Sequence, residues 1–96
     1  MNIPKKVKIG FKDYEIQLAD KTLNNDEQLL FGMILYNDGI IKIVKDYSKD
    51  VQFCTLMHEA VHAIDELFSI GLEEDQAVKL GKGIAQFIKD NPQVFK

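Results

Sequence analysis

The sequence predicts an α+β fold, a small antiparallel-containing sheet of two hairpins packed by two C-terminal helices. Three observations predict it. Two pairs of short apolar runs in the first half are each split by turn residues. After Ser48 the apolar spacing lengthens from two to three and four. Finally, Pro92 closes the last periodic run. Ninety-six residues hold one core, so the domain is 1–96.

In the first hairpin, "KVKIG" and "YEIQL" place Val7 and Ile9, then Tyr14, Ile16 and Leu18, at alternating positions. Gly10 to Asp13 supply the turn. The polar stretch "ADKTLNNDEQ" reads as a loop. In the second hairpin, Leu30–Tyr36 and Ile40–Val44 are joined by Asn37-Asp38-Gly39, where glycine adopts positive φ at little cost. Both strands are more apolar than alternating, so at least one should be covered on both faces.

Ser48 is the expected N-cap of the first helix, with Asp50 in the turn where the helix dipole favours a carboxylate. Val51, Cys54, Met57, Val61, Ile64 and Phe68 mark its expected buried stripe, and Gly71 its C-terminal stop. A second helix is expected from near Glu73 to near Asp90. Ala77, Leu80, Ile84, Phe87 and Ile88 would form its packing face, with Gly81 and Gly83 permitting close approach. Two helices capping one face of the sheet is the economical arrangement.

Composition narrows the function classes. A net charge of −3 and no basic block longer than Lys5-Lys6 argue against nucleic-acid binding through a broad basic face. No apolar run reaches the roughly 20 residues that span a bilayer, and "MNIPKKVKIG" has no apolar segment behind its basic residues. The expectation is a cytoplasmic protein that avoids membranes. Cys54, the only cysteine, excludes an internal disulfide and a multi-cysteine metal site.

The chemistry is concentrated in "MHEAVHAID". His58 and His62, the only histidines, are four apart, and four helical residues advance about 400°. Both imidazoles therefore leave nearly the same face and suit one Zn²⁺. Glu59, about 100° round from His58, can reach an attacking water without taking a ligand position. His-Glu-x-x-His is thus two ligands and a general base from one turn of helix.

A catalytic site needs a third ligand. Of the six acidic residues after His62, Asp65 sits on the metal-facing side of the same helix, placed as a ligand or as a partner that steadies an imidazole N–H. Three ligands along one straight helix surround an ion poorly, so a residue opening the second helix fits better. Glu73 and Glu74 both qualify by position, and periodicity puts Glu73 slightly nearer the apolar face. Cys54 reads mainly as a small buried residue one turn before His58. Tyr14, Tyr36 and Tyr47 could donate to an oxyanion, but they suit packing at element boundaries better.

The ordered segments "KVKIGFKDYEI", "FGMILYNDGIIKI", "CTLMHEAVHAID" and "EEDQAVKLGKGIAQFIKDNP" resemble small zincin-like metallopeptidases of phage and prophage origin, similar to the core of ImmA/IrrE-type peptidases. The resemblance runs from about Val7 to Pro92. It implies a minimal zincin-like domain and favours Glu74 as the third ligand, because Ala77 follows Glu74 at the family's spacing. It also implies that Gly32, Met33, Ile34, Leu35 and Tyr36 form the edge strand that pairs with extended substrate.

The expected activity is zinc-dependent peptide hydrolysis on a peptide or protein substrate. Ligands are His58, His62 and Glu74 (or Glu73), and Glu59 is the base. The alternative is a zincin-fold module that binds a partner without turnover, favoured by small size and the lack of a further specificity domain. A third reading is a structural protein without metal. The sequence leaves the oligomeric state open.

Overall fold

The computed structural model describes residues 3–20 and 31–95. Lys6–Ile9 (β1) and Lys12–Ala19 (β2) pair antiparallel, with Val7 opposite Tyr14. Gly32–Leu35 (β3) and Ile40–Val44 (β4) form the second hairpin, with Ile34 opposite Ile41. Both hairpins form as expected, but the first turn narrows to Gly10-Phe11, because Lys12 and Asp13 already pair with Ile9 and Lys8. β3 is shorter than the expected Leu30–Tyr36. The loop expected over "ADKTLNNDEQ" lies, from residue 21 on, outside the described residues, as does Leu30.

The two hairpins join into one mixed sheet of order β1-β2-β4-β3. The joining pair, β2 and β4, runs parallel, with Ile16 beside Ile41. That pairing was not foreseen: hairpin signals are local, and nothing local specifies how two hairpins meet. β4 becomes an interior strand and β3 an edge. Ile43 and Val44, successive residues pointing to opposite sides of the sheet, are both buried, so β4 is covered on both faces at that end.

Lys49–Phe68 (α1) lies on the sheet, and Ile41, Ile43, Tyr14 and Ile16 pack with Leu56 and Ala63 to make the core. Ser48 caps α1 as expected, its Oγ accepting from the Val51 N–H at 3.3 Å. The C-terminal end differs from expectation. Ser69 itself takes the left-handed conformation (φ 54°) and closes the helix, while Gly71 follows two residues on.

The buried face of α1 is also rotated from the expected stripe. Gln52, Thr55, Leu56, Glu59, Val61 and Ala63 are buried, whereas Ile64 is exposed and Phe68 is 66% exposed. The reason is proximity. A Cβ on Gly32 of β3 would stand 2.7 Å from Thr55 Cγ2 and 2.6 Å from the Lys42 carbonyl, so strand and helix meet too closely for large side chains. Gln52 is accommodated there because its amide donates to the Lys45 and Tyr47 carbonyls.

Glu74–Asp90 (α2) runs back along α1 and packs chiefly on it, not on the sheet as expected. The contact is made by Ala77, Gly81 and Ala85, a row of small residues at every fourth position. Leu80, Ile84 and Phe87, expected to pack, are instead exposed. Lys89 pairs with Asp50 at 3.0 Å and ties the end of α2 to the start of α1. A short 3₁₀ turn, Pro92–Phe95, ends the described chain.

Candidate metal centre

The α1 helix carries His58 and His62 on one face, as four-residue spacing requires. Their Nε2 atoms are 3.1 Å apart and both rings are half-buried. α2 supplies the third group. Glu74, its first residue, has one carboxylate oxygen 3.2 Å from His58 Nε2 and the other 3.0 Å from His62 Nε2. Among the described residues these three form the group that could hold a metal ion. Glu73 does not join it. It is the N-cap of α2, and its backbone N–H donates to Gln76 Oε1 at 2.9 Å.

The donor set suits a metal. Two imidazole nitrogens and the two oxygens of one carboxylate converge at 3.0–3.2 Å, which is unfavourable unless shared protons or a cation sit among their lone pairs. Ligands at about 2.0–2.1 Å in a tetrahedral site stand about 3.3 Å apart, close to the observed separations. Burial, with His62 beside it, pushes His58 below the ordinary histidine range against the opposing pull of Glu74, favouring the neutral form a ligand needs.

Two glycines and one carboxylate position the three candidate ligands. Gly81 lies against the His58 backbone, where a Cβ would stand 2.8 Å from His58 Cα. Gly32 sets β3 against Thr55, one turn before His58. Asp65 does not steady an imidazole. Its Oδ1 accepts from the Gly71 N–H at 2.7 Å and the Leu72 N–H at 3.3 Å, fixing the connection that delivers Glu74. An acceptor three residues past a histidine has two candidate tasks, and the loop N–H groups of Gly71 and Leu72 claim this one.

Glu59 is only 5% exposed and lines the same cleft as the three ligands. Burial first, and the Glu74 carboxylate second, raise its pKa from 4.5 to about 7. Tyr36 reaches the site from the end of β3, its hydroxyl donating to the His62 carbonyl at 3.3 Å. Burial chiefly, with Glu66 next among several anions, pushes its phenol up to about 12. Tyr14 is a core residue, and Tyr47 stacks on Phe31 at 4.8 Å between ring centroids. Cys54 lines the cleft as a free, half-buried thiol outside the metal-binding group.

The cleft measures about 690 Å³ between β3, α1 and α2. Gly32 and Ile34 from one face of β3 and Met33 from the other all border it, so the cleft runs along the edge of that strand. Leu35 completes β3 but is not among the lining residues. Val78 and Lys82 of α2 complete the far wall. Sequence reasoning missed both, although they follow Glu74 at four and eight residues and so share its face. No helix among the described residues is long and apolar enough to cross a membrane. No family model, no curated protein and no solved structure matches the chain.

Proposed function

We propose that this protein is a minimal zinc-dependent metallopeptidase acting on an extended peptide laid along β3. The observation that carries the reading is the convergence of His58, His62 and Glu74 beside a buried carboxyl, Glu59, in a cleft bordered by an edge strand. The resemblance of "CTLMHEAVHAID" and its flanking segments to zincin-like peptidases of phage and prophage origin supports it. So does the pairing of an imidazole dyad with a carboxylate, a donor set typical of zinc hydrolases.

His58, His62 and Glu74 would hold Zn²⁺. When bound, the ion supplies Lewis acidity, acidifying water and polarising the scissile carbonyl. The chain's own groups do the rest. Glu59 accepts a proton as water oxygen bonds to the carbonyl carbon, then delivers it to the amine nitrogen as the C–N bond breaks. The free edge of β3 offers backbone donors and acceptors to the substrate strand and holds it in register. Gly81 and Asp65 keep α2, and so Glu74, at the correct distance. The single unpaired cysteine suits a reducing compartment, and the cytoplasm is part of this reading.

Zinc analysis beside peptide hydrolysis tests it. The zinc-loaded protein should hold about one equivalent and cleave peptides, and Glu59→Gln should keep the metal and lose turnover. Less than about a tenth of an equivalent after loading overturns the proposal. One observation favours a second reading, a partner-binding module with a structural zinc. α2 exposes Leu80, Ile84 and Phe87, 37–55% accessible, on one stripe. Tight zinc, no hydrolysis of any peptide in a library, and partner binding unchanged by Glu59→Gln would select that reading.

A further inference from the structure

We propose that the end of the cleft remote from Glu74 is an acid-binding subsite, in which Lys82 receives a carboxylate of the bound peptide. Substrates are then apolar segments carrying an acidic group. The inference rests on the peptidase reading for the position of the scissile bond, while the subsite itself rests on the cleft.

Glu74, Val78 and Lys82 form one row on α2 at successive fourth positions, and all three line the cleft. Lys82 is therefore about 12 Å along the helix from Glu74. Among the described residues it is the one lysine or arginine in the lining. The neighbouring lysines of α2 are already paired, Lys79 with Asp75 at 3.1 Å and Lys89 with Asp50 at 3.0 Å. Lys82 has no ion pair or hydrogen bond among the described residues.

The lining of the same cleft is largely apolar, with Phe31, Met33, Val51 and Val78 among its residues. An extended peptide in this groove would shed water from the ammonium, so a carboxylate against it gains more than at an open surface. Gly81, the preceding residue, is pressed onto the His58 backbone, which fixes the Lys82 backbone relative to the ligands. At about 3.3 Å per extended residue, and allowing for the reach of lysine, the acidic group falls about two to four residues from the cut bond. An aspartate or glutamate side chain and a peptide C-terminus offer Lys82 the same chemistry.

The test uses apolar octapeptides carrying a single glutamate or glutamine at each position in turn, with free or amidated C-termini. Binding is read by fluorescence anisotropy on zinc-loaded protein and cleavage by mass spectrometry. Glutamate at one or two positions should tighten binding about three- to tenfold over glutamine. Lys82→Met should abolish that preference with zinc content unchanged, and Lys82→Glu should reverse it towards lysine-bearing peptides. If amidation alone removes the preference, the carboxylate is the C-terminus; if not, it is a side chain. Equal binding of glutamate and glutamine peptides, or a preference that survives Lys82→Met, overturns the subsite. Binding with this preference but no cleavage overturns the peptidase reading and leaves the subsite standing.

Discussion

Gly81 of α2 and His58 of α1 are in backbone contact: a Cβ on Gly81 would stand 2.8 Å from His58 Cα and 2.9 Å from His58 N. The convergence of His58, His62 and Glu74 depends on this approach, because Glu74 lies on the same helix two turns earlier. The obstructing atoms are backbone and cannot swing aside. Gly83, two residues on, meets nothing within 4 Å.

The two glycines should therefore respond oppositely to alanine. Gly83→Ala should stabilise by about 0.5–1 kcal/mol, the helix-propensity gain. Gly81→Ala should lose about 1–3 kcal/mol to overpacking despite the same gain, and should weaken zinc binding. Chemical denaturation and zinc titration of both variants check this. Equal effects at the two positions would refute the close-approach role.

Glu73 and Glu74 should separate cleanly. Glu74→Ala removes a donor and should abolish stoichiometric zinc. Glu73→Ala removes only an N-cap, costing about 0.5–2 kcal/mol of stability with zinc retained. Metal content after dialysis distinguishes them, and zinc loss in Glu73→Ala alone would reverse the ligand assignment.

Asp65 should matter to zinc without touching an imidazole. Asp65→Ala leaves the Gly71 and Leu72 N–H groups unpaired and loosens the connection that places Glu74. A loss of about 1–2 kcal/mol of stability and roughly tenfold in zinc affinity is expected. Unchanged hydrogen exchange at Gly71 and Leu72 in the variant would contradict this role.

Glu59 carries a stability cost that depends on pH. Its folded-state pKa of about 7 lies above its ordinary 4.5, so the folded protein holds this proton more tightly than the unfolded chain. Zinc-free protein therefore loses stability as pH rises from about 4.5 through 7. Glu59→Gln should make EDTA-treated protein more stable by about 1–3 kcal/mol at pH 8, with the gain vanishing near pH 4. Melting curves at the two pH values read it directly. A variant less stable than wild type at pH 8 would be the contrary result.

What the sequence discloses follows the range of the forces involved. Turn residues at Asn37–Gly39, the Ser48 cap and the four-residue spacing of His58 and His62 are local, and the structure places each as read. The parallel joining of β2 to β4 and the docking of α2 on α1 arise between distant segments with no local signature. Apolar periodicity predicts burial for Leu80, Ile84 and Phe87, which are exposed, whereas Ala77, Gly81 and Ala85 make the contact by being small. At the site, the motif was legible and its supports were not. Spacing offers Asp65 to the metal or an imidazole, whereas the loop amides of Gly71 and Leu72 hold it, and no motif contains Lys82.

The central claim is that His58, His62 and Glu74 hold one zinc ion. An anomalous difference map at the zinc edge, from crystals of zinc-loaded protein, tests it most directly. A single full-occupancy peak is expected about 2.0–2.1 Å from His58 Nε2, His62 Nε2 and a Glu74 oxygen, with one further light-atom ligand. A peak bound by Cys54 or Asp65 in place of Glu74, or no peak at this site, would contradict it.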